Sequence, residues 1–212
     1  MFRVKICGIT NWRDAQRSIE AGCDALGFNF YSRSPRHLAP QAAAAITRRL
    51  PKEIAAVGVF VNMPMHQVLE IASVAKLRYA QLHGEETPTE VCSLGLTIPV
   101  IKAFRVSRHF RDARLARYSV AAFLLDGAPS NGHLRGGTGK AFDWNDARRF
   151  SSYGPIVLAG GLTPENVAEA MRIVRPAAVD VASGVESAPG KKDARKLRAF
   201  LDAVGDAREV FV

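Results

Sequence analysis

Short runs of consecutive apolar residues recur along the chain, and between them apolar positions return at helical spacing. The runs predict eight strands, at residues 4–7, 25–30, 55–61, 79–82, 100–104, 122–126, 156–159 and 179–182. Most are apolar without alternation, as parallel strands are when helices cover their outer face. Helical spacing predicts a helix after Thr10, with Ala15 and Ile19 as its apolar face and Gly22 as its stop. Further helices are predicted at 41–50, 65–75, 89–94, 108–116, 145–150, 163–174 and 193–204. The seventh carries the fullest start signals: Thr163 as cap, Pro164 at the first helical position and Glu165 at the positive end. Eight strand–helix units in strict order predict an α/β fold, a single (β/α)8 TIM barrel over residues 1–212. The competing open doubly wound sheet usually has fewer units and a glycine fingerprint after its first strand. Here that strand runs into Cys7-Gly8-Ile9-Thr10, which has no such fingerprint. One loop, 127–143, is long and holds Gly127, Gly132, Gly136, Gly137 and Gly139, and no linker divides the chain.

Composition narrows the class. Of 212 residues, 48% are hydrophobic and 23% charged, an ordinary globular balance. No apolar run approaches the roughly 20 residues a membrane span needs. The first eight residues are broken by charge and lack a cleavage site, so no signal peptide is expected. The expected location is cytoplasmic, away from membranes. Cys7, Cys23 and Cys92 are too few and too irregular for a disulfide framework or a zinc site, and read as free thiols. The net charge of +9 has three readings. It is a solvated basic surface, with pairs such as Arg48-Arg49 and Lys191-Lys192; or it binds nucleic acid; or it draws in an anionic substrate. Scattered basic residues without a binding motif speak against nucleic acid.

Barrel enzymes work at the C-terminal ends of their strands. Strand one ends in Cys7, either a small buried hydrophobe or a thiol made reactive by the helix start that follows. Strand six ends in Asp126, a carboxylate costly to bury unpaired and suited there to proton transfer. In loop two, Ser32-Arg33-Ser34-Pro35-Arg36-His37, Pro35 stiffens the backbone beside Arg36 and makes it the better anion ligand, while Arg33 reads as surface. Strand four ends in His83, which either orients a substrate or satisfies a polar neighbour. His, Asp and Glu never cluster at ligand spacing, so no metal is expected.

Strands seven and eight run into Gly160-Gly161 and Ser183-Gly184. Glycines let backbone N–H groups approach an anion, and loops seven and eight are where barrels usually hold phosphate. The segment Gly136-Gly137-Thr138-Gly139-Lys140-Ala141 is not a nucleotide P-loop. Leu134 stands where its first glycine belongs, and Ala141 where its magnesium-binding hydroxyl belongs. It reads better as a flap. Lys140 is read as solvated, with reach to a substrate anion as the alternative.

Taken in order, these pieces resemble the phosphoribosylanthranilate isomerase family. The resemblance runs through Lys5-Ile6-Cys7-Gly8-Ile9-Thr10, Gly27-Phe28-Asn29-Phe30, Ser34-Pro35-Arg36, Gln81-Leu82-His83-Gly84, Leu124-Leu125-Asp126, Gly136-Gly137-Thr138-Gly139, Ala159-Gly160-Gly161 and Ala182-Ser183-Gly184-Val185-Glu186. Gly127 departs from it, since a small hydroxyl residue is common there. The resemblance implies an Amadori rearrangement of N-(5-phosphoribosyl)anthranilate in tryptophan biosynthesis. It implies Cys7 as general base, Asp126 as general acid and Arg36 as partner of the anthranilate carboxylate. It further implies phosphate held by the backbone near Gly160, Gly161, Ser183 and Gly184. The iminium formed on ring opening is its own electron sink, so no cofactor is implied. The expected partner is a small phosphorylated substrate, and the expected assembly a monomer or homodimer.

Overall fold

The computed structural model describes residues 1–106, 110–127 and 144–209. Eight parallel strands close into a barrel in sequence order: β1 (Val4–Cys7), β2 (Ala25–Asn29), β3 (Ala55–Phe60), β4 (Tyr79–Leu82), β5 (Val100–Val106), β6 (Ala122–Gly127), β7 (Ile156–Ala159) and β8 (Ala178–Val181). β8 pairs back on β1, with Val4 opposite Val179 and Lys5 opposite Asp180. The predicted strands are all present, with ends shifted by two residues at most.

Alternation along these strands splits the apolar core into two layers. One parity faces the barrel axis and is small: Ala25, Ala55, Val57, Ala103, Ala122, Val157, Ala159 and Ala178, closed at the N-terminal end by Phe2 set edge-on to Tyr79. The other parity packs outward under the helices and is larger, with Phe28, Phe60, Leu82, Phe104 and Leu125 among its buried members. The narrow interior selects small and branched side chains, while the outer layer has room for rings. Because the inner face alternates strictly, Cys7, Asp126 and Asp180 share it with these alanines and valines.

The outer helices are α1 (Trp12–Glu20), α2 (Pro40–Thr47), α3 (Met65–Val74), α4 (Pro88–Gly95), α5 (Trp144–Arg149), α6 (Val167–Val174) and α7 (Ala194–Glu209). α4 begins in a capping box, in which the Thr87 side chain and Glu90 satisfy each other's backbone N–H groups. Two expectations change. Where a helix is predicted at 108–116, the described residues hold a 3₁₀ helix over Asp112–Arg117 instead. Leu115 is its one fully buried apolar anchor, too little face to reward a longer α-helix. The seventh predicted helix starts later than its signals suggest. Residues 164–166 form a turn, and the Thr163 carbonyl accepts from the N–H of Val167. Asn166 holds this turn, accepting from the Thr163 N–H at 2.8 Å and donating to the Gly161 carbonyl at 2.9 Å.

A further hairpin, too short and polar to be read from sequence, follows β8. A 3₁₀ turn at Ser183–Val185 leads into β9 (Glu186–Ala188) and antiparallel β10 (Lys191–Lys192). It latches onto the start of the chain: the Thr10 hydroxyl donates to the Gly190 carbonyl at 2.7 Å, and the Lys192 N–H donates to Asp14 at 2.9 Å. Among the described residues, no helix is long and apolar enough to cross a membrane.

Candidate active site

Four of the residues singled out from the sequence meet at the C-terminal mouth of the barrel. Cys7 ends β1, Asp126 lies at the end of β6, and His83 follows β4 on the inward-facing parity. Arg36 comes in from loop two. That loop folds back through Leu38, whose N–H donates to the Asn29 carbonyl at 2.9 Å, and its guanidinium stem lies over Gly8, next to Cys7.

Arg36 is not a free fork. Its Nε donates to Glu186 Oε1 at 2.8 Å and its Nη2 to Glu186 Oε2. Glu186 in turn accepts from Lys192 Nζ at 2.9 Å, and Lys192 Nζ also donates to the Cys7 and Ala182 carbonyls. Lys192 is therefore no part of a solvated surface. It is 3% exposed, and only its neighbour Lys191 faces water. Burial opposes the charge of Glu186, but Arg36 and Lys192 outweigh it and hold the carboxyl below its ordinary value. Burial dominates at Lys192 and pushes its ammonium down in spite of Glu186. The hydrogen bonds of Glu186 push Arg36 up. The hairpin β9–β10 thus supplies a buried carboxylate that aims Arg36 and a buried ammonium that pins the backbone of Cys7. Neither Glu186 nor Lys192 stands out in sequence, because both act through contacts with residues 150 or more positions away.

Cys7 is partly open to the mouth, yet burial pushes its thiol above the ordinary value, against the pull of the Lys5 ammonium. A helix start does not explain its environment. α1 begins five residues later and is capped by Asn11, which accepts from the Asp14 N–H at 2.9 Å. Lys5, one inward position deeper on β1, is completely buried and donates to Asp180 at 2.8 Å. Sequence reading passes over both because each lies inside an apolar run. Asp126 sits across the mouth, 3.3 Å from His83 Nε2, and the Gln81 side-chain amide lies 3.1 Å from His83 Nδ1. His83 thus stands at the mouth with Asp126 and Gln81 as polar neighbours, an arrangement that fits either sequence reading of it.

The glycine turns bind β6, β7 and β8 together. Gly160 has φ +82°, and a Cβ there would strike the Gly127 N–H and come within 2.6 Å of Asp126 Oδ1. At Gly184 a Cβ would run into the Leu162 carbonyl, so here loops seven and eight approach each other backbone to backbone. Ser183 and Gly184 open the 3₁₀ turn, and N–H groups at the start of such a turn have no partner within it. Glycine turns and turn-start N–H groups are the backbone features from which anion sites are commonly built. Going round the barrel, β7 and β8 separate β6 from β1, so these glycine turns lie between Asp126 and Cys7. Lys140 and the predicted flap lie outside the described residues. Among the described residues, no group of three or more His, Cys, Asp or Glu is placed to hold a metal ion.

Comparison with known proteins gives one consistent result. The family model for N-(5'phosphoribosyl)anthranilate (PRA) isomerase matches residues 4–203. The chain is 52% identical over 203 residues to the N-(5'-phosphoribosyl)anthranilate isomerase of Trichlorobacter lovleyi, covering 95% of this chain and 97% of that protein. It is 49% identical over 201 residues to that of Geobacter metallireducens, covering 95% of this chain and 98% of that protein. Its fold matches the crystal structure of the Thermotoga maritima enzyme with a TM-score of 0.87 and 42% identity, over 97% of this chain and 100% of that one. A phosphoribosyl anthranilate isomerase structure in complex with reduced 1-(o-carboxyphenylamino)-1-deoxyribulose 5-phosphate matches at TM-score 0.85 and 40% identity, covering 97% and 100%.

Proposed function

The chain belongs to the N-(5'-phosphoribosyl)anthranilate isomerase family, an isomerase family of tryptophan biosynthesis, and we propose that Asp126 and Cys7 are its acid and base. The substrate is N-(5-phosphoribosyl)anthranilate, and the product is 1-(2-carboxyphenylamino)-1-deoxyribulose 5-phosphate. Asp126 protonates the ring oxygen as the furanose opens, leaving an iminium at C1. Cys7, as thiolate, takes the proton from C2. The electrons released neutralise the iminium and give an enolamine, which tautomerises to the ketone. No other electron sink is needed.

The observation that carries this reading is the order of parts around the mouth. The anion-competent turns of β7 and β8 lie between a carboxylate on β6 and a thiol on β1. A phosphate held there by Gly160, Gly161, Ser183 and Gly184 presents the sugar to both groups. Holding reacting groups in a fixed orientation supplies much of the rate, and each proton-transfer group adds about 10²–10⁴-fold. Arg36 receives the anthranilate carboxylate. Glu186 occupies its Nε and Nη2, which leaves the Nη1 edge to face the substrate. His83 holds Asp126 in place against the sugar. Related solved structures include one with a phosphorylated product analogue and one of monomers generated from a dimeric enzyme, and a monomer or homodimer is the assembly we propose. The setting we propose is the cytoplasm, where free thiols such as Cys7, Cys23 and Cys92 stay reduced.

Turnover of freshly made N-(5-phosphoribosyl)anthranilate, followed by loss of its fluorescence, tests the assignment. The wild-type protein is expected to convert it, and Asp126→Asn to lose about 100-fold or more in kcat. A full-rate Asn variant would reassign the acid.

A further inference from the structure

Lys5 is a fully enclosed ammonium in a barrel interior otherwise built mainly of alanine, valine, leucine and isoleucine. Its Nζ donates to Asp180 Oδ1 at 2.8 Å. Such a pair is a poor device for stability, since well-packed apolar residues of the same volume often do as well or better. Its position suggests another use. Lys5 and Cys7 are successive inward positions of β1. Lys5 Cε and Cys7 Sγ converge on the same gap, lying 3.0 and 2.8 Å from where a Cβ on Gly27 would stand. Any side chain at position 27 would part them.

The charged groups facing the sulfur come from four places. Lys5 and Asp180 lie on the deeper side, from β1 and β8. Lys192 and Arg36 lie on the mouth side, from β10 and loop two, and both are committed to Glu186. Burial pushes the Cys7 thiol up. Lys5 opposes it most strongly, Asp180 works against Lys5, and Lys192 adds a smaller pull downward.

We propose that Lys5 is a positioning residue for the isomerase reaction: its buried ammonium, shared between Asp180 and the Cys7 sulfur, holds the thiolate that removes the substrate proton. This rests on Cys7 being the base. Lys5 keeps its own proton throughout. The C2 proton passes to the sulfur, and the Lys5 charge makes the thiolate available to receive it. Asp180 sets how much of that charge reaches the sulfur.

The test reads the thiol directly. Iodoacetamide alkylation is followed across pH, with Cys7 resolved by peptide mass spectrometry from exposed Cys92 and from Cys23, whose buried thiol is pushed up to about 12. Three proteins are compared: wild type, Asp180→Asn and Lys5→Met/Asp180→Asn. The Asp180→Asn midpoint is expected below wild type, because the ammonium then faces the sulfur alone. The double variant is expected above wild type, with alkylation at neutral pH about tenfold or more slower than in Asp180→Asn. The double variant leaves no unpaired buried charge at this site, so its comparison with wild type stands even if the single variant does not fold. The acid limb of the kcat/KM profile should move in the same order. A double-variant midpoint equal to or below wild type overturns the proposal, because a purely structural ion pair would leave the thiol where it was. Full turnover by Cys7→Ser would instead remove the base assignment while the alkylation order stood, so the two failures are distinguishable.

Discussion

At the scale of single residues, the site depends on charges that sequence reading placed at the surface or passed over. Glu186 joins Arg36 to Lys192, and both ends of that chain face Cys7. Glu186→Gln leaves Lys192 as a buried cation with only carbonyl partners and Arg36 without its fork. Breaking a buried pair on one side typically costs about 3 kcal/mol or more. The expected results are a lower urea midpoint and a raised KM with kcat less affected, since Arg36 is then free to leave the substrate carboxylate. The pH dependence has a definite sign. The Glu186 carboxyl titrates below its ordinary 4.5 in the folded protein. Its stabilisation is therefore full above that range and lost as pH falls through the lowered value. The gap in stability between wild type and Glu186→Gln, measured by urea unfolding at several pH values, should be widest near neutrality and close in acid. Cys7 and Asp126 were legible because each ends an apolar strand, where a polar side chain is conspicuous. Lys5 and Asp180 were not, because an apolar run hides one inward polar position. Their pairing appears only when β8 closes on β1.

At the scale of elements, the strands were legible and the helix starts were not. Continuous burial on both faces leaves a plain signature, and β3, buried over Ala55–Phe60, is its clearest case. A helix start depends on local competition. Thr163, Pro164 and Glu165 look like a start, yet Asn166 and the Gly161 carbonyl draw that segment into a turn that serves loop seven. The glycines of loops seven and eight were read from the fold as an anion-binding feature, which remains our proposal, while the contact between the loops was not foreseeable. Gly184→Ala tests that contact. Its Cβ would meet the Leu162 carbonyl, and backbone must move to admit it. Overpacking of this kind costs about 1–3 kcal/mol. The expected outcome is a KM raised about tenfold, with weaker competition by inorganic phosphate, since about 1.4 kcal/mol lost from phosphate binding has that size. An unchanged KM would place the phosphate elsewhere.

At the scale of the whole molecule, the barrel explains why so much function was readable. Alternation on eight parallel strands sends chosen side chains to one mouth, and the chain order fixes which of them are neighbours. The net charge of +9 bears on this mouth as a whole. A positive protein meeting a substrate with a phosphate at one end and a carboxylate at the other should associate faster at low ionic strength. Raising salt toward about 0.15 M, where the screening length falls to about 8 Å, should lower kcat/KM and leave kcat nearly constant. The central claim is narrower: a thiol on β1 and a carboxylate on β6 handle protons on either side of a bound phosphate. Cys7→Ser tests it most directly, assayed by fluorescence loss of N-(5-phosphoribosyl)anthranilate beside the wild type, with binding of a reduced product analogue measured in parallel. The account predicts kcat reduced by about 100-fold or more with analogue binding largely kept, because a hydroxyl fills the same space but is a far weaker base. Near-normal turnover by the serine variant would contradict it.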